Sequence, residues 1–466
     1  MPSQRVEIPV GRREAVSKSP FVSSQSAINC FVERDPEPGV PDSIHGGPGL
    51  VEFADIGDGD IRGTHLFNGA LLAVAGDSLY SVDANGAETS IGPIAGYDPV
   101  VISDNGAQAA IVSDSTSYLW DGATLSAIND PDFRRASSVD FISQVLLFSE
   151  HNSGRYFTSE LADGSSYNAL DIATAETRPD KLVRVLVSAN EALLFGELGV
   201  EGLYFSGKPT GVPLSPTQTN LEYGLAGRDA VCKIDNTVAW LAHDMTIRTL
   251  RDGSPLAIAD PAITSMIQGW TDPGSARAFA FSIRGHEWMA IRHSQGCVLW
   301  DATTQLWHRR ESHGSPTWRV ANSIRAYGHV LLGDASVGKL WRLDPDAQDE
   351  GGEPMVRTLV SRTLGPAGLP FTLEAIELEA ESGVGLATGQ GSDPKIWMQL
   401  SRDGGRTYGT RLERSMGTMG NRNVRVCWSG PFGDFPPHGG VIKFACSDPV
   451  RLTITKAWAE ITPARP

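Results

Sequence analysis

A two-stranded pattern recurs seven times between residues 68 and 344, and it limits the fold more than any other feature of the sequence. Each copy starts at a turn, runs through a short apolar segment and a polar turn, and continues into a strand that carries aromatic or apolar residues. Such short apolar runs between turn residues are typical of β-hairpins rather than of long helices. The copies lie at residues 68–83, 105–122, 144–157, 190–205, 236–253, 285–301 and 327–344.

A hairpin repeat of this length predicts a β-propeller. The copies recur about every 35 to 55 residues, which is the length of one four-stranded propeller blade. One blade cannot bury both of its faces, so several blades must pack in a ring. We therefore predict an all-β protein with about seven blades over residues 51–365, in which each copy is the inner hairpin of its blade. A sandwich of unrelated hairpins is the alternative, and helical stretches such as residues 260–270 are short.

The repeat does not reach either end of the chain. Residues 1–50 are rich in Ser, Pro and Gly, which predicts an extended N-terminal arm or a partner-binding strand. Residues 366–466 contain longer alternating runs, which predict a separate C-terminal β-sandwich or small barrel. We expect the acidic, Gly- and Pro-rich residues 344–354 to form a connection at the surface.

The formal net charge is −16, and its distribution follows the predicted domains. Residues 1–50 hold five basic and six acidic residues, and residues 366–466 hold eleven and ten, so the predicted propeller accounts for the excess of acid. This charge argues against a protein coated with a basic DNA-binding surface and fits a soluble component of a particle. The N-terminus has no apolar core of a signal peptide, and no run approaches about 18 apolar residues, so we expect no membrane span.

The sequence has no recognisable catalytic or metal-binding motif. It lacks P-loop, GxSxG, GxGxxG and HExxH patterns. Four histidines between residues 286 and 313 have no carboxylate or cysteine at a spacing that would complete a metal site. We therefore expect no catalytic residue, no cofactor and no bound metal. The cysteines form no CxxC pair, and we expect buried or partly buried thiols at Cys30, Cys232, Cys297, Cys427 and Cys446.

Residues 401–409, with the sequence SRDGGRTYG, are similar to the Asp-box of sialidases. In that box the carboxylate of the aspartate accepts backbone N–H groups of a hairpin turn, and glycines supply positive φ angles. Asp403, Gly404 and Gly405 stand at these positions. A sialidase would also need an arginine cluster and a Tyr/Glu nucleophile pair, and it usually carries several such boxes. We therefore expect a structural turn.

The same region holds the basic cluster of the chain, which we single out as a possible contact for DNA phosphates or an acidic partner. The opposing interpretation is a solvated hairpin whose arginines pair with Glu377, Glu379 and Glu381. The cluster has two acidic neighbours, Asp403 and Glu413, and consists of Arg402, Arg406, Arg411, Arg414, Arg422 and Arg425.

Several segments, in order along most of the chain, resemble a family of short-tailed bacteriophages. The most specific is residues 167–180, YNALDIATAETRPD, which resembles a family segment with an aromatic residue where Ile172 stands. Residues 193–196, 202–207 and 235–241 follow the family order, although Ala239 replaces a Phe. Further similar segments lie at residues 29–33, 48–50, 376–385 and 398–409. The chain thus resembles the packaged-DNA stabilisation, or tail-hub, proteins, which are head-to-tail connector and head-closure proteins.

This resemblance implies a structural virion protein without catalysis or cofactor. It implies a homo-oligomer, expected to be a hexamer, that forms a ring below the portal and adaptor proteins. Such a ring helps to retain packaged DNA and docks a tail needle and tailspikes or fibres, with double-stranded DNA passing through without sequence-specific binding. The protein would be assembled in the host cytoplasm and end in the virion. The alternative is a carbohydrate-binding or sialidase-like propeller for host attachment, marked by paired carboxylates at the propeller centre.

Overall fold

The computed structural model describes residues 3–16, 23–34, 37, 42–113, 116–176, 178–365 and 368–463. Regular structure in these ranges is almost entirely β-strand, with a helix α1 (Pro261–Gln268) and a 3₁₀ turn (Pro273–Ser275). The helix falls in the predicted helical stretch. It starts at a proline, whose missing N–H is not needed in the first turn, and buries Ile263 and Ile267 on one face. The predicted all-β class is confirmed.

Six strands precede the repeats, and the last of them, β6, later completes the repeat region. They are β1 (Gln4–Glu7), β2 (Ala15–Val16), β3 (Ser24–Ile28), β4 (Cys30–Glu33), β5 (Ser43–Gly46) and β6 (Gly49–Asp55).

Five separate antiparallel sheets of four strands follow along the chain, each a meander in strand order. The first two contain β7 (Ile61–Phe67), β8 (Ala70–Ala75), β9 (Ser78–Val82), β10 (Glu88–Pro93), β11 (Val101–Asp104), β12 (Ala109–Val112), β13 (Ser117–Trp120) and β14 (Leu125–Ala127). The third and fourth contain β15 (Ala136–Ile142), β16 (Val145–Glu150), β17 (Arg155–Glu160), β18 (Asp163–Thr174), β19 (Leu182–Ser188), β20 (Glu191–Gly196), β21 (Val200–Phe205) and β22 (Leu214–Leu221). The fifth contains β23 (Val231–Ile234), β24 (Thr237–Leu241), β25 (Ile247–Arg251) and β26 (Ser254–Ala257).

Two further four-stranded units are parts of larger sheets. The sixth unit contains β27 (Arg277–Ile283), β28 (His286–His293), β29 (Gly296–Asp301) and β30 (Leu306–Arg309). The seventh contains β31 (Val320–Ala326), β32 (His329–Asp334) and β33 (Lys339–Asp344). Its fourth strand is β6, which pairs antiparallel with β33, so a strand from before the first unit completes the last one. Two short strands, β34 (Asp349–Glu350) and β35 (Glu353–Pro354), extend this sheet.

The first strand of each unit lies at the centre of the ring, because first strands pack side by side at six of the seven junctions between neighbouring units. At the remaining junction, Arg184 of β19 bonds to Asp229, just before β23. The recurring hairpins are therefore the second and third strands of the units. Their prediction as inner hairpins was wrong by one strand. The sequence pattern does not reveal the first strands, because polar side chains that bond to neighbouring units interrupt their apolar alternation. Asn322, for example, donates to the Ile61 carbonyl over 2.9 Å, and Ser323 donates to the Ala280 carbonyl over 2.6 Å.

Apolar side chains fill the space between neighbouring units. Seven buried clusters each combine residues of two consecutive units, including a cluster of the seventh and first. Trp240 and Phe195, for example, meet edge to face between the fifth and fourth units, with ring centroids 5.7 Å apart. Burial of such side chains contributes about 1.5–3 kcal/mol each. Tyr80, Tyr204 and Trp341 lie in three different sheets. The propeller prediction requires this separation, whereas a sandwich would place them in one continuous sheet.

The C-terminal strands form a β-sandwich with its own buried core. One layer is the seven-stranded sheet, and the other is the far part of the ten-stranded sheet that begins in the sixth unit. The strands are β36 (Arg357–Val360), β37 (Phe371–Ala380), β38 (Lys395–Ser401), β39 (Leu412–Ser415), β40 (Val426–Ser429), β41 (Asp434–Phe435), β42 (Val441–Cys446) and β43 (Thr453–Pro463).

The N-terminal residues are not a free arm. Strand β1 pairs with β43, β3 lies between β30 and β36, and β4 joins β5, which also pairs with β43. The side chain of Asn29 donates to the carbonyls of Glu311 and Val356, both over 2.9 Å. The predicted extended arm is thus part of the sandwich in its described ranges, while residues 1–2, 17–22, 35–36 and 38–41 lie outside them.

The acidic link between the two domains also differs from the prediction. Within residues 344–354, Glu350 is 1% exposed and accepts hydrogen bonds from Arg310, Ser312 and Trp318. Strand β34, which carries Glu350, pairs parallel with β6. The acidic composition indicated a surface connection, but one of its carboxylates is the acceptor for two buried donors, Arg310 and Trp318, and for the half-buried Ser312. Strand β36, which the prediction placed in the propeller, pairs with β42 of the sandwich.

Candidate functional site

The turn of residues 401–409 is held by its own side chains, between strands β38 and β39. The Asp403 carboxylate accepts the backbone N–H groups of Arg406 at 3.0 Å and Thr407 at 2.9 Å, and also the Thr407 hydroxyl. These hydrogen bonds hold the pKa of Asp403 well below its usual range. Gly404 and Gly405 have φ angles of 77° and 91°, which only glycine adopts at little cost. The chemistry of this segment is that of a turn.

Two arginines of the predicted cluster bond to backbone carbonyls at the same end of the sandwich. Arg402 donates to the carbonyls of Phe432 and Asp434, and its guanidinium lies 4.7 Å from the Phe435 ring centroid. Arg406 donates to the Asp403 carbonyl over 3.3 Å. Both side chains therefore have local structural partners.

Of the other four arginines, Arg414 lies on strand β39 and Arg411 just before it, and Arg422 and Arg425 lie in the segment between β39 and β40. Arg411 stacks 3.6 Å over the Trp397 ring and pairs with Glu413, and Arg414 donates to the Cys427 carbonyl. The Arg425 side chain, 74% exposed, pairs with Glu377 over 2.7 Å. This last pair agrees with the interpretation of a hairpin paired to the acidic residues of β37, although Glu379 bonds to Trp458 and Glu381 pairs with Arg451. Arg422 is exposed. A contact of this cluster with DNA or a partner stays a prediction.

The histidines near residue 300 have separate environments. The His286 ring donates to the Asp301 carboxylate over 2.7 Å, a hydrogen bond that raises the pKa of His286. His293 stacks on Trp270, and full burial lowers the pKa of His308 to about 4. In the parts of the chain that the structure describes, no three His, Cys, Asp or Glu side chains are grouped as metal ligands. The five cysteines are free thiols, four of them buried and Cys427 half-buried.

The centre of the ring contains an axial cavity of about 330 Å³, lined by first strands of six units. Of the described residues that line it, Asp229 is the one carboxylate, and it pairs with Arg184 over 3.0 Å and with Arg228 over 3.1 Å. A retaining or inverting glycosidase needs two carboxyl groups flanking the scissile bond. The paired carboxylates expected of a carbohydrate-active propeller are therefore not part of this lining.

The sequence prediction overlooked the cations of this cavity. Each unit except the second has an arginine within three residues of the start of its first strand, and this recurrence is a signal that the sequence contained. Three of these arginines, Arg62, Arg184 and Arg277, line the axial cavity together with Lys233. The other arginines near strand starts are Arg135, Arg228 and Arg319.

Solved structures with similar folds have low sequence identity to this chain. The extracellular domain of the one-component system BT4673 from B. thetaiotaomicron is 11% identical, with a TM-score of 0.45, covering 86% of this chain and 58% of that one. BamB from Moraxella catarrhalis is 11% identical with a TM-score of 0.37, covering 69% and 97%. BBS1N, solved in complex with ARL6DN, is 13% identical with a TM-score of 0.41, covering 64% and 97%. No curated protein sequence matches the chain.

Family models match both halves of the chain. The model described as "Bacteriophage P22 Gp10, beta-propeller" matches residues 8–348, and "Bacteriophage P22 Gp10, beta-sandwich" matches residues 357–462. The first match alone spans more than half of the 466 residues. Among the described residues, α1 is too short to cross a membrane. The predicted propeller with a C-terminal sandwich is confirmed, and the chain belongs to the bacteriophage P22 Gp10 family of phage structural proteins.

Proposed function

We propose that this protein is the ring-forming hub of a short phage tail, below the portal and adaptor proteins. In this role a homohexamer helps to retain packaged DNA and docks a tail needle and tailspikes or fibres. The observation that carries the proposal is the match of both domains, in order, to the Gp10 structural family. The same match supports a location in the virion and a role without catalysis.

We also propose that the seven four-stranded units are seven blades of one closed propeller. The support is that hydrogen bonds join each pair of neighbouring units, including the closure from the seventh unit to the first by Asn322 and Ile61. The seven interfacial clusters give the same number. As domains we propose residues 49–354 for the propeller, and residues 1–48 together with 357–466 for the sandwich. The strand pairings of β1, β3, β4 and β5 support this division.

The net charge of the chain limits the ways in which a hub could retain DNA. A duplex must be held after packaging and yet slide at ejection. A uniformly basic wall would bind phosphates by counterion release and oppose sliding. The net charge of −16 per chain would be multiplied in a ring and would repel the duplex. We therefore propose that retention is mechanical, by a gate or plug held below the ring, and that acidic propeller surface faces the lumen or the solvent.

Imaging of the particle tests the position and stoichiometry. A reconstruction of the tail at modest resolution is expected to show this protein as a sixfold ring directly below the adaptor. Labelled protein located at the tip of a fibre, or a ring of another symmetry, would contradict the hub or the hexamer respectively.

Purified protein is expected not to bind duplex DNA with sub-micromolar affinity at physiological salt, because the acidic propeller outweighs the basic cluster of the sandwich. A fluorescence-anisotropy titration measures this. The matched variant changes Arg411, Arg414, Arg422 and Arg425 to Glu. Sub-micromolar binding by the natural protein that disappears in this variant would make the cluster a DNA clamp and overturn the mechanical proposal.

A further inference from the structure

The axis of the propeller is cationic although the chain as a whole is acidic. The axial cavity of about 330 Å³ is lined by Arg62, Arg184, Lys233 and Arg277, against the single carboxylate Asp229 of its described lining. A second cavity of about 680 Å³ shares Pro99, Asp229 and Arg277 with the first. It therefore continues the axis toward one face of the ring.

That face is where the first strands begin. Because all units repeat the same strand order, the arginines at the starts of the first strands are brought to the same end of the ring. The outer cavity accordingly adds three cations, Arg135, Lys181 and Arg228, to the shared Arg277. Its other carboxylates are Asp98 and Glu197, both exposed. Positive side chains thus outnumber carboxylates in the described lining of the two cavities, in a chain whose net charge is −16. Of these cations, Lys233 also pairs with Asp140, and Arg277 with Asp60.

The floor of the outer cavity is fixed. Arg228 of the fifth unit reaches across the axis and donates to the Pro99 carbonyl of the second unit over 2.6 Å. Behind it, Gly227 packs so closely on Gly274 that an added Cβ would lie 1.8 Å from the Gly274 carbonyl oxygen. Asp229 is engaged by Arg184 and Arg228. The cavity is consequently a preformed concave surface with its central carboxylate already paired.

The cations of the outer cavity act on a histidine in its lining. His151 lines this cavity, and its pKa is lowered by burial and then by the charges of Arg135, Arg228 and Lys181. Guanidinium and ammonium groups converging on a concave site favour oxyanions, which accept several charge-assisted hydrogen bonds at once. A volume of about 680 Å³ admits a small oxyanion but not a duplex.

We propose that this axial face of the propeller is a binding site for a small, multiply charged oxyanion, bearing phosphate or carboxylate groups. Arg135 and Lys181 at the rim contact the anion, and Arg228 and Arg277 form the floor beneath it. The site is independent of the hub role, since it requires only the folded propeller.

Calorimetric titration of the full-length protein with pyrophosphate and with citrate tests the proposal and separates the two oxyanion classes. The double change Arg135→Gln with Lys181→Gln is expected to weaken binding of the preferred anion by about tenfold or more, through loss of two charged hydrogen-bond donors. A matched control, Arg134→Gln with Lys208→Gln, removes the same charge outside the described lining of either cavity. It should leave the affinity unchanged.

Thermal unfolding of both variants shows whether they are folded, and the exposure of Arg135 and Lys181 favours folding. The proposal is overturned if the natural protein binds neither anion at millimolar concentration, or if the rim variant binds as tightly as the control. It is also overturned if a short DNA duplex binds the natural protein more tightly than either anion and the rim variant loses that binding. In that case the face is a nucleic-acid surface.

Discussion

Replacing Glu350 by Ala is expected to lower the free energy of unfolding by about 3–5 kcal/mol, the cost of leaving one member of a buried ion pair without its partner. Glu350 and Arg310 are 1% and 3% exposed, and their side chains meet at 2.9 Å. The same carboxylate accepts the Ser312 hydroxyl at 2.6 Å and the Trp318 indole N–H at 3.1 Å. Loss of this carboxylate therefore leaves three donors without their acceptor.

Because of the position of the Glu350 carboxylate, its loss is expected to destabilise the whole molecule. Arg310 also donates to the Pro48 carbonyl over 2.6 Å, just before β6. The cluster thus joins the end of the sixth unit, the strand that completes the seventh unit, and the link to the sandwich. Because the alternative to pairing is a buried, unpaired guanidinium, neither side chain can be removed singly at low cost.

Denaturant unfolding followed by tryptophan fluorescence measures the change. The control is Glu353→Ala, an exposed glutamate three residues along the same acidic link, for which a change within about 0.5 kcal/mol is expected. Adding Arg310→Met to Glu350→Ala should restore part of the loss, since it removes the stranded charge. A Glu350→Ala protein as stable as the Glu353→Ala control would show that the buried pair contributes little.

The repeating hairpins could be predicted from the sequence because their signals are local. Tight turns at Asn68, Asn190 and Asn236 adopt positive φ angles of 49°, 64° and 57°, and Asn tolerates this region better than most residues. Apolar strands on either side complete the pattern. The first strands could not be placed in the same way, because they carry polar groups that bond to neighbouring units.

The N-terminal strands could not be assigned because their partners are remote. Ser26 pairs with Val360, and Gln4 pairs with Ile461. Pairings over more than 300 residues leave no local periodicity, so Ser-, Pro- and Gly-rich composition alone suggested an arm. Glu350 was mispredicted for a related reason, since its donors lie in the segment between β30 and β31 and an acidic composition does not reveal them.

The candidate sites could likewise be predicted only in part, because their contacts join residues that are remote in sequence. Residues 402–425 form a cluster in sequence, but Arg402, Arg411 and Arg425 take different partners: carbonyl oxygens, the Trp397 ring and Glu377. The axial arginines are far apart in sequence, and only the ring brings them together. Their recurrence near strand starts can be read from the sequence, but it indicates a shared site only once the first strands are known to lie at the centre of the ring.

Particles assembled without this protein are expected to contain mostly no DNA, because the proposed hub holds the closure below the portal. The structural family supports this expectation over host attachment. A receptor-binding protein would instead leave full but non-infectious particles when it is missing. Buoyant density and nuclease-protected DNA of purified particles separate these outcomes.

Complementation then distinguishes mechanical closure from adhesion. A copy with Arg411, Arg414, Arg422 and Arg425 changed to Glu should restore DNA retention, provided that it assembles, because a gate does not require these phosphate-binding groups. A copy with Glu350→Ala should restore DNA retention poorly, since this substitution destabilises the fold that carries the gate. Full particles in the absence of the protein would refute the hub. Assembled but empty particles with the arginine variant would instead indicate that retention depends on adhesion, since closure by a plug is insensitive to the charge of this surface.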